Sequence, residues 1–80
     1  MKIPRDMSGE KLAKLLLKYG YHITRQTGNH MCLTTERNGG HHITVPKNKP
    51  LKIGTLSAIL NDVSEHLKVS KEDILKDLIL

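Results

Sequence analysis

Eighty residues with a single cysteine, Cys32, describe one domain over 1–80 with one core and no intramolecular disulfide. Thirteen Lys+Arg against eight Asp+Glu leave a net charge of +5, and residues 1–61 carry ten basic and three acidic side chains of that total. That imbalance suits a polyanionic partner. Met1–Asp6 lacks an apolar signal core, and no run nears the roughly 18 apolar residues of a membrane span, so a cytoplasmic protein is expected. Phe and Trp are absent and Tyr19 and Tyr21 are the only aromatics, which removes the stacking platforms of aromatic nucleic-acid binders. A nucleic acid would be met through phosphates and polar groups.

Ser8 reads as the N-cap of a first helix over Gly9–Tyr19, with Leu12, Ala13, Leu15, Leu16 and Tyr19 at helical spacing and Gly20 past its end. Lys11, Lys14 and Lys18 form a basic stripe on its polar side. Three strand-like runs follow, Tyr21–Gln26, His30–Arg37 and His41–Val45. They are joined at Thr27-Gly28-Asn29 and Asn38-Gly39-Gly40, each suited to a three-residue hairpin loop.

That register sets Gln26 opposite His30, Thr24 opposite Cys32, Leu33 opposite Val45 and Thr35 opposite Ile43. It gathers Ile23, Met31, Leu33, Ile43 and Val45 on one face. The opposite face then carries His22, Thr24, Gln26, His30, Cys32, Thr34, Glu36, His42 and Thr44. In this arrangement His22 shares a row with Thr34 and Thr44, and His42 pairs with Glu36.

Pro46 ends the third strand, and Lys47–Lys52 is a basic loop. A second helix opens near Gly54-Thr55, with Leu56, Ile59, Leu60, Val63 and Leu67 on one side. Ser70-Lys71-Glu72-Asp73 resembles a capping box for a short third helix carrying Ile74, Leu75 and Leu78. The expected fold class is α+β, a three-stranded antiparallel meander with helices on one face.

Among the five histidines, His30 stands out. It opens a strand directly after the Gly28-Asn29 turn, with Lys47 and Lys49 leaving the third strand beside it and Arg25 on the neighbouring strand. An imidazole in a cationic surround is suited to taking the 2′-OH proton of RNA while lysine or arginine steadies the phosphorane. The residues alone also allow a turn histidine with a purely structural role. His41 and His66 read as ordinary edge or surface histidines. Cys32 has no converging ligands and no His/Cys pair has zinc-site spacing, so no metal or other cofactor is expected.

The ordered series Gly20-Tyr21, Arg25-Gln26-Thr27-Gly28-Asn29-His30, His42-Ile43-Thr44-Val45-Pro46 and Leu51-Lys52-Ile53-Gly54-Thr55-Leu56 into Ile59-Leu60 resembles HicA-type (YcfA-like) toxins, a group of small mRNA interferases. The resemblance covers about residues 8–65. It implies a double-stranded-RNA-binding-like α-β-β-β-α fold, here with an added short C-terminal helix. It also implies endoribonuclease cleavage of single-stranded mRNA without a metal ion, and neutralisation by a HicB-type antitoxin. The family's catalytic histidine, third in a Gly-Ser-His motif, falls on His30, with Asn29 where serine is usual. Arg25, Gly28, Asn29, Lys47 and Lys49 are the accompanying RNA-binding candidates. The alternative is a non-catalytic RNA-binding or protein-interaction module of the same fold. Thr55-Leu56-Ser57-Ala58-Ile59 lacks the lysine cluster expected of duplex binders at that helix start.

Overall fold

A computed structural model describes residues 6–47 and 50–79. The element order is α1 (Gly9–Leu17), β1 (His22–Thr27), β2 (His30–Thr35), β3 (His41–Pro46), α2 (Ile53–Leu67) and α3 (Lys71–Ile79). The strands form one antiparallel sheet in the order β1-β2-β3. None of the described helices is long and apolar enough to cross a membrane.

The Ser8 hydroxyl caps α1 by accepting from the Lys11 amide at 3.1 Å. The helix ends two residues short of the expected Tyr19, through the Tyr21 amide to Leu16 carbonyl bond and Gly20 at φ +89°. Burial alternates along the central strand, with Met31, Leu33 and Thr35 inside. Ile43 and Val45 of β3 join them under Leu12 and Leu16 of α1 and Leu56, Leu60 and Val63 of α2. Among the described residues nothing covers the opposite sheet face, where His22, Thr24, His30, His42 and Thr44 are exposed.

Ile74, Leu75 and Leu78 of α3 are buried too, so the C-terminal helix closes the core. It is capped by Ser70, whose hydroxyl accepts from the Asp73 amide at 3.1 Å. It is tied to the segment after α1 by the Tyr19 hydroxyl, which donates to the Asp77 carboxylate at 2.5 Å. Burial and that carboxylate push the Tyr19 phenol up to about 12, which keeps it a donor.

Both hairpin registers differ from the three-residue loops read from sequence. Thr27 pairs with His30, so the first turn is Gly28-Asn29 alone. Gly28 has φ +53° and Asn29 is not among the positive-φ residues, the pattern of a type II′ turn. The pairing then runs Gln26 with Met31 and Arg25 with Cys32, and shifts so that Ile23 faces Leu33 and His22 faces Thr34.

Thr24 is thus the extra residue of a β-bulge. The bulge restores the apolar parity that a two-residue turn would otherwise have inverted. It also exchanges Gln26 for Arg25 on the His30 face, because directly paired residues share a face. In the second hairpin Thr35 pairs with His41 and Leu33 with Ile43, which releases Glu36–Gly40 as the loop. His42 therefore faces Thr34, not Glu36. The two-residue shift leaves the buried set unchanged because side-chain period is two.

α1 meets the sheet at an unusually close approach. A Cβ on Gly9 would lie 1.8 Å from the Pro46 carbonyl oxygen and 3.1 Å from the Lys47 Cα. Glycine is required there by space, not by backbone angle. Gly9→Ala is expected to cost more than about 2 kcal/mol, lowering Tm by roughly 10 °C or more in a thermal melt of an otherwise unchanged chain.

Candidate active site at the hairpin mouth

His30 is exposed at the first position of β2, in a row with Thr27 on β1 and Pro46 on β3. The turn before it is joined to the exit of β3, where the Lys47 amide donates to the Asn29 carbonyl at 2.6 Å. Lys47, half-buried, is therefore held one residue past the His30–Pro46 pair. Further along, the Leu51 amide donates to the Met7 carbonyl at 2.7 Å, tying the far end of the basic loop to the segment that leads into α1. Lys49 and Asn48 lie outside the described residues.

Arg25 stands opposite Cys32, one row in from His30 and on the same face. The bulge that puts it there is pinned by Thr24, whose hydroxyl donates to the Cys32 carbonyl at 3.3 Å and lies 2.9 Å from the Thr34 hydroxyl. The structure thus brings together His30, Gly28, Asn29, Arg25 and Lys47. The His30 imidazole and the Arg25 guanidinium are exposed on one face, and half-buried Lys47 is joined to the turn by its backbone amide. Such a set can shuttle one proton and hold one phosphate. The Cys32 thiol is free and half-buried. Among the described residues no three His, Cys, Asp or Glu side chains gather as a metal-binding group.

His42 lies opposite Thr34, four residues along β2 from His30, or about 13 Å at strand rise. The two imidazoles are too far apart to relay one proton between them.

With this geometry in hand, the chain can be set beside known proteins. The family model described as HicA toxin of bacterial toxin-antitoxin matches residues 9–64. The chain belongs to the HicA toxin family. Membership carries a toxin role, with a cognate antitoxin partner and RNA targets. No curated protein and no solved structure matches the chain. The family match takes in α1, the sheet and most of α2, and stops before α3. It therefore contains His30, Arg25, Lys47 and the Thr24 bulge.

At the other end of the sheet, His41 and His66 are not the ordinary surface residues that sequence suggests. Their rings stack at 4.4 Å with an interplanar angle of 18°. His66 Nε2 lies 2.7 Å from the Arg37 carbonyl and 2.9 Å from the Gly39 carbonyl, so that nitrogen carries the proton and donates to both. Asn38 Nδ2 returns a bond to the His66 carbonyl at 2.7 Å. The β2–β3 loop of this HicA-family chain is thereby bolted to α2.

His41 Nδ1 sits 2.7 Å from the Tyr21 hydroxyl. Burial and Asp62 raise the phenol, so it donates and the imidazole accepts. No local spacing marks this cluster, since its parts come from three distant segments.

Burial holds the His41 imidazole below its ordinary 6.5, with the neighbouring His66 and His42 adding to the effect and Asp62 opposing it. The unfolded chain therefore binds the proton more readily. Folded stability is full above about 6.5, falls as pH drops through that value, and levels off below the folded-state value. Urea midpoints measured at pH 7.5 and pH 5 are expected to show this loss, and His41→Gln is expected to flatten that step of the profile.

Proposed function

We propose that this HicA-family toxin is an endoribonuclease that cleaves single-stranded mRNA with His30 as its one catalytic side chain. The observation that carries this reading is the Lys47–Asn29 backbone bond, which holds a cationic loop against the turn that presents His30. The neutral imidazole takes the proton of a 2′-OH. The freed O2′ forms a bond to the adjacent phosphorus as the P–O5′ bond breaks. The products are a 2′,3′-cyclic phosphate and a 5′-hydroxyl, with the proton passed on to the departing O5′.

Arg25 and Lys47 stabilise the extra negative charge on the phosphorane, with Lys49 of the same loop as a further candidate. The Gly28 and Asn29 backbone lies where a phosphate would approach. Asn29 does not use the left-handed region, so the turn does not depend on asparagine at this position. A side chain at that position is free to serve the substrate, as serine would.

This chemistry uses the ribose hydroxyl as nucleophile and draws no activating step from a metal ion. A HicB-type antitoxin would neutralise the toxin by covering this exposed edge, in the cytoplasm where mRNA is found. The absence of lysines over Thr55–Ile59 at the start of α2 disfavours gripping a long duplex.

His30→Ala is expected to lower cleavage of a single-stranded RNA by about 10²–10⁴-fold with an unchanged circular-dichroism spectrum. Retained cleavage in that variant would overturn the assignment. Arg25→Ala and Lys47→Ala are expected to weaken turnover by about ten- to a hundredfold each, less than His30→Ala. A 2′-deoxy sugar at the cut site should block the reaction, while excess chelator should leave it unchanged; the reverse pattern would point to metal-activated water.

A further inference from the structure

The bare sheet face extends well beyond the candidate active site. His22 on β1 and His42 on β3 flank Thr34 on β2 in one row, so the two imidazoles face outward about 10 Å apart. The next row carries Arg25, Cys32 and Thr44, with the bulged Thr24 between the rows. The row after that is Thr27, His30 and Pro46. The strands contain no Asp or Glu; Glu36, which follows β2 directly in sequence, lies in the loop beyond it.

His22, Thr24, Arg25, Thr27, His30, His42 and Thr44 are all exposed. The Thr24 hydroxyl is bonded to Cys32 and Thr34, so it stiffens the floor between the two histidine-bearing ends.

We propose that this face is a track for a single RNA strand. His30 stands at the cleavage end, and the His22–Thr34–His42 row, with Arg25 on the way, holds phosphates to one side of the cut. The proposal rests on the ribonuclease reading above. The chemistry of the face selects the ligand. A protein partner is usually anchored by apolar or aromatic side chains, and the outward positions offer only Cys32 and Pro46 in that class. Phosphate and sugar are bound by imidazole, hydroxyl and guanidinium donors, which this face has in rows.

With no Phe, Tyr or Trp on it, the face has no large platform for bases, so it holds the strand chiefly by its backbone and accepts many sequences. His30 and the His22–His42 row are about 13 Å apart along the strand, so one flexible strand can touch both only if it runs along β2.

The test uses the full chain in a His30→Ala background, so that RNA is bound and not consumed. The probe is a mixed-sequence single-stranded RNA of about 16 nucleotides. Adding His22→Ala and His42→Ala is expected to raise its Kd by about tenfold. RNAs shortened from one end should lose this sensitivity, because a strand too short to reach the row gains nothing from it. In the cleaving protein the same pair should raise KM while kcat stays within about twofold.

Unchanged RNA affinity, or a fall in kcat alone, would overturn the track. So would weaker antitoxin binding with RNA affinity intact, which would assign the face to a protein. The ribonuclease reading fails separately, by cleavage surviving His30→Ala; the binding comparison is then made on a 2′-O-methyl RNA of the same length in excess chelator, which neither a 2′-OH nor a metal-activated water can cut.

Discussion

The junction between the start of α1 and the exit of β3 governs where everything else in this molecule can sit. Gly9 leaves no room for a side chain against the Pro46 carbonyl, and the next amide, that of Lys47, donates across to the Asn29 carbonyl. Three segments far apart in sequence are thus in backbone contact at one point. Pro46 suits an edge strand that stops there, because it offers no amide to a further partner. The consequence for function is rigidity at the base of an exposed imidazole. His30 projects from a turn whose carbonyl is tied down and whose neighbour row is closed, a positioning that loop residues alone achieve less well.

The opposite end of the sheet is held by different means. There a loop with two positive-φ residues, Asn38 and Gly39, is fastened through the His66 ring and the His66 carbonyl, and His41 is sandwiched between Tyr21 and His66. The result is a sheet clamped at both ends, with its polar face open between them. Of the five histidines, two serve the structure and three look outward. Fold and composition would not have divided them this way, since all five lie in or near regular elements.

Much of the architecture was legible in the chain. Ser8 and Ser70 mark the starts of α1 and α3, and their hydroxyls make the capping bonds that this residue type at that position suggests. The alternation Met31–Leu33 and Ile43–Val45 identifies the inner face whichever of the even register shifts is taken. The Gly28-Asn29 turn and its histidine were also visible, as was the lysine loop after Pro46. The family match over residues 9–64 agrees with the motif series that runs through these elements.

Register is where sequence stopped short. A two-residue turn with a bulge at Thr24 and a three-residue turn without one both set Ile23 opposite buried Leu33 on the helix side, where Ile23 itself stays exposed at the sheet edge, so hydrophobic pattern cannot separate them. They differ in whether Arg25 or Gln26 joins the His30 face, and that difference decides the electrostatics of the site. The second hairpin repeats the lesson, because a two-residue shift keeps Ile43 and Val45 buried yet moves His42 from Glu36 to Thr34.

The sequence by itself determined the elements, their apolar faces and the family. These follow from local periodicity, capping chemistry and an ordered set of motifs. Only the tertiary structure decided which polar groups meet across strands and where His41 and His66 stack. Those contacts are set by hydrogen-bond pairing between distant segments, to which burial periodicity is blind.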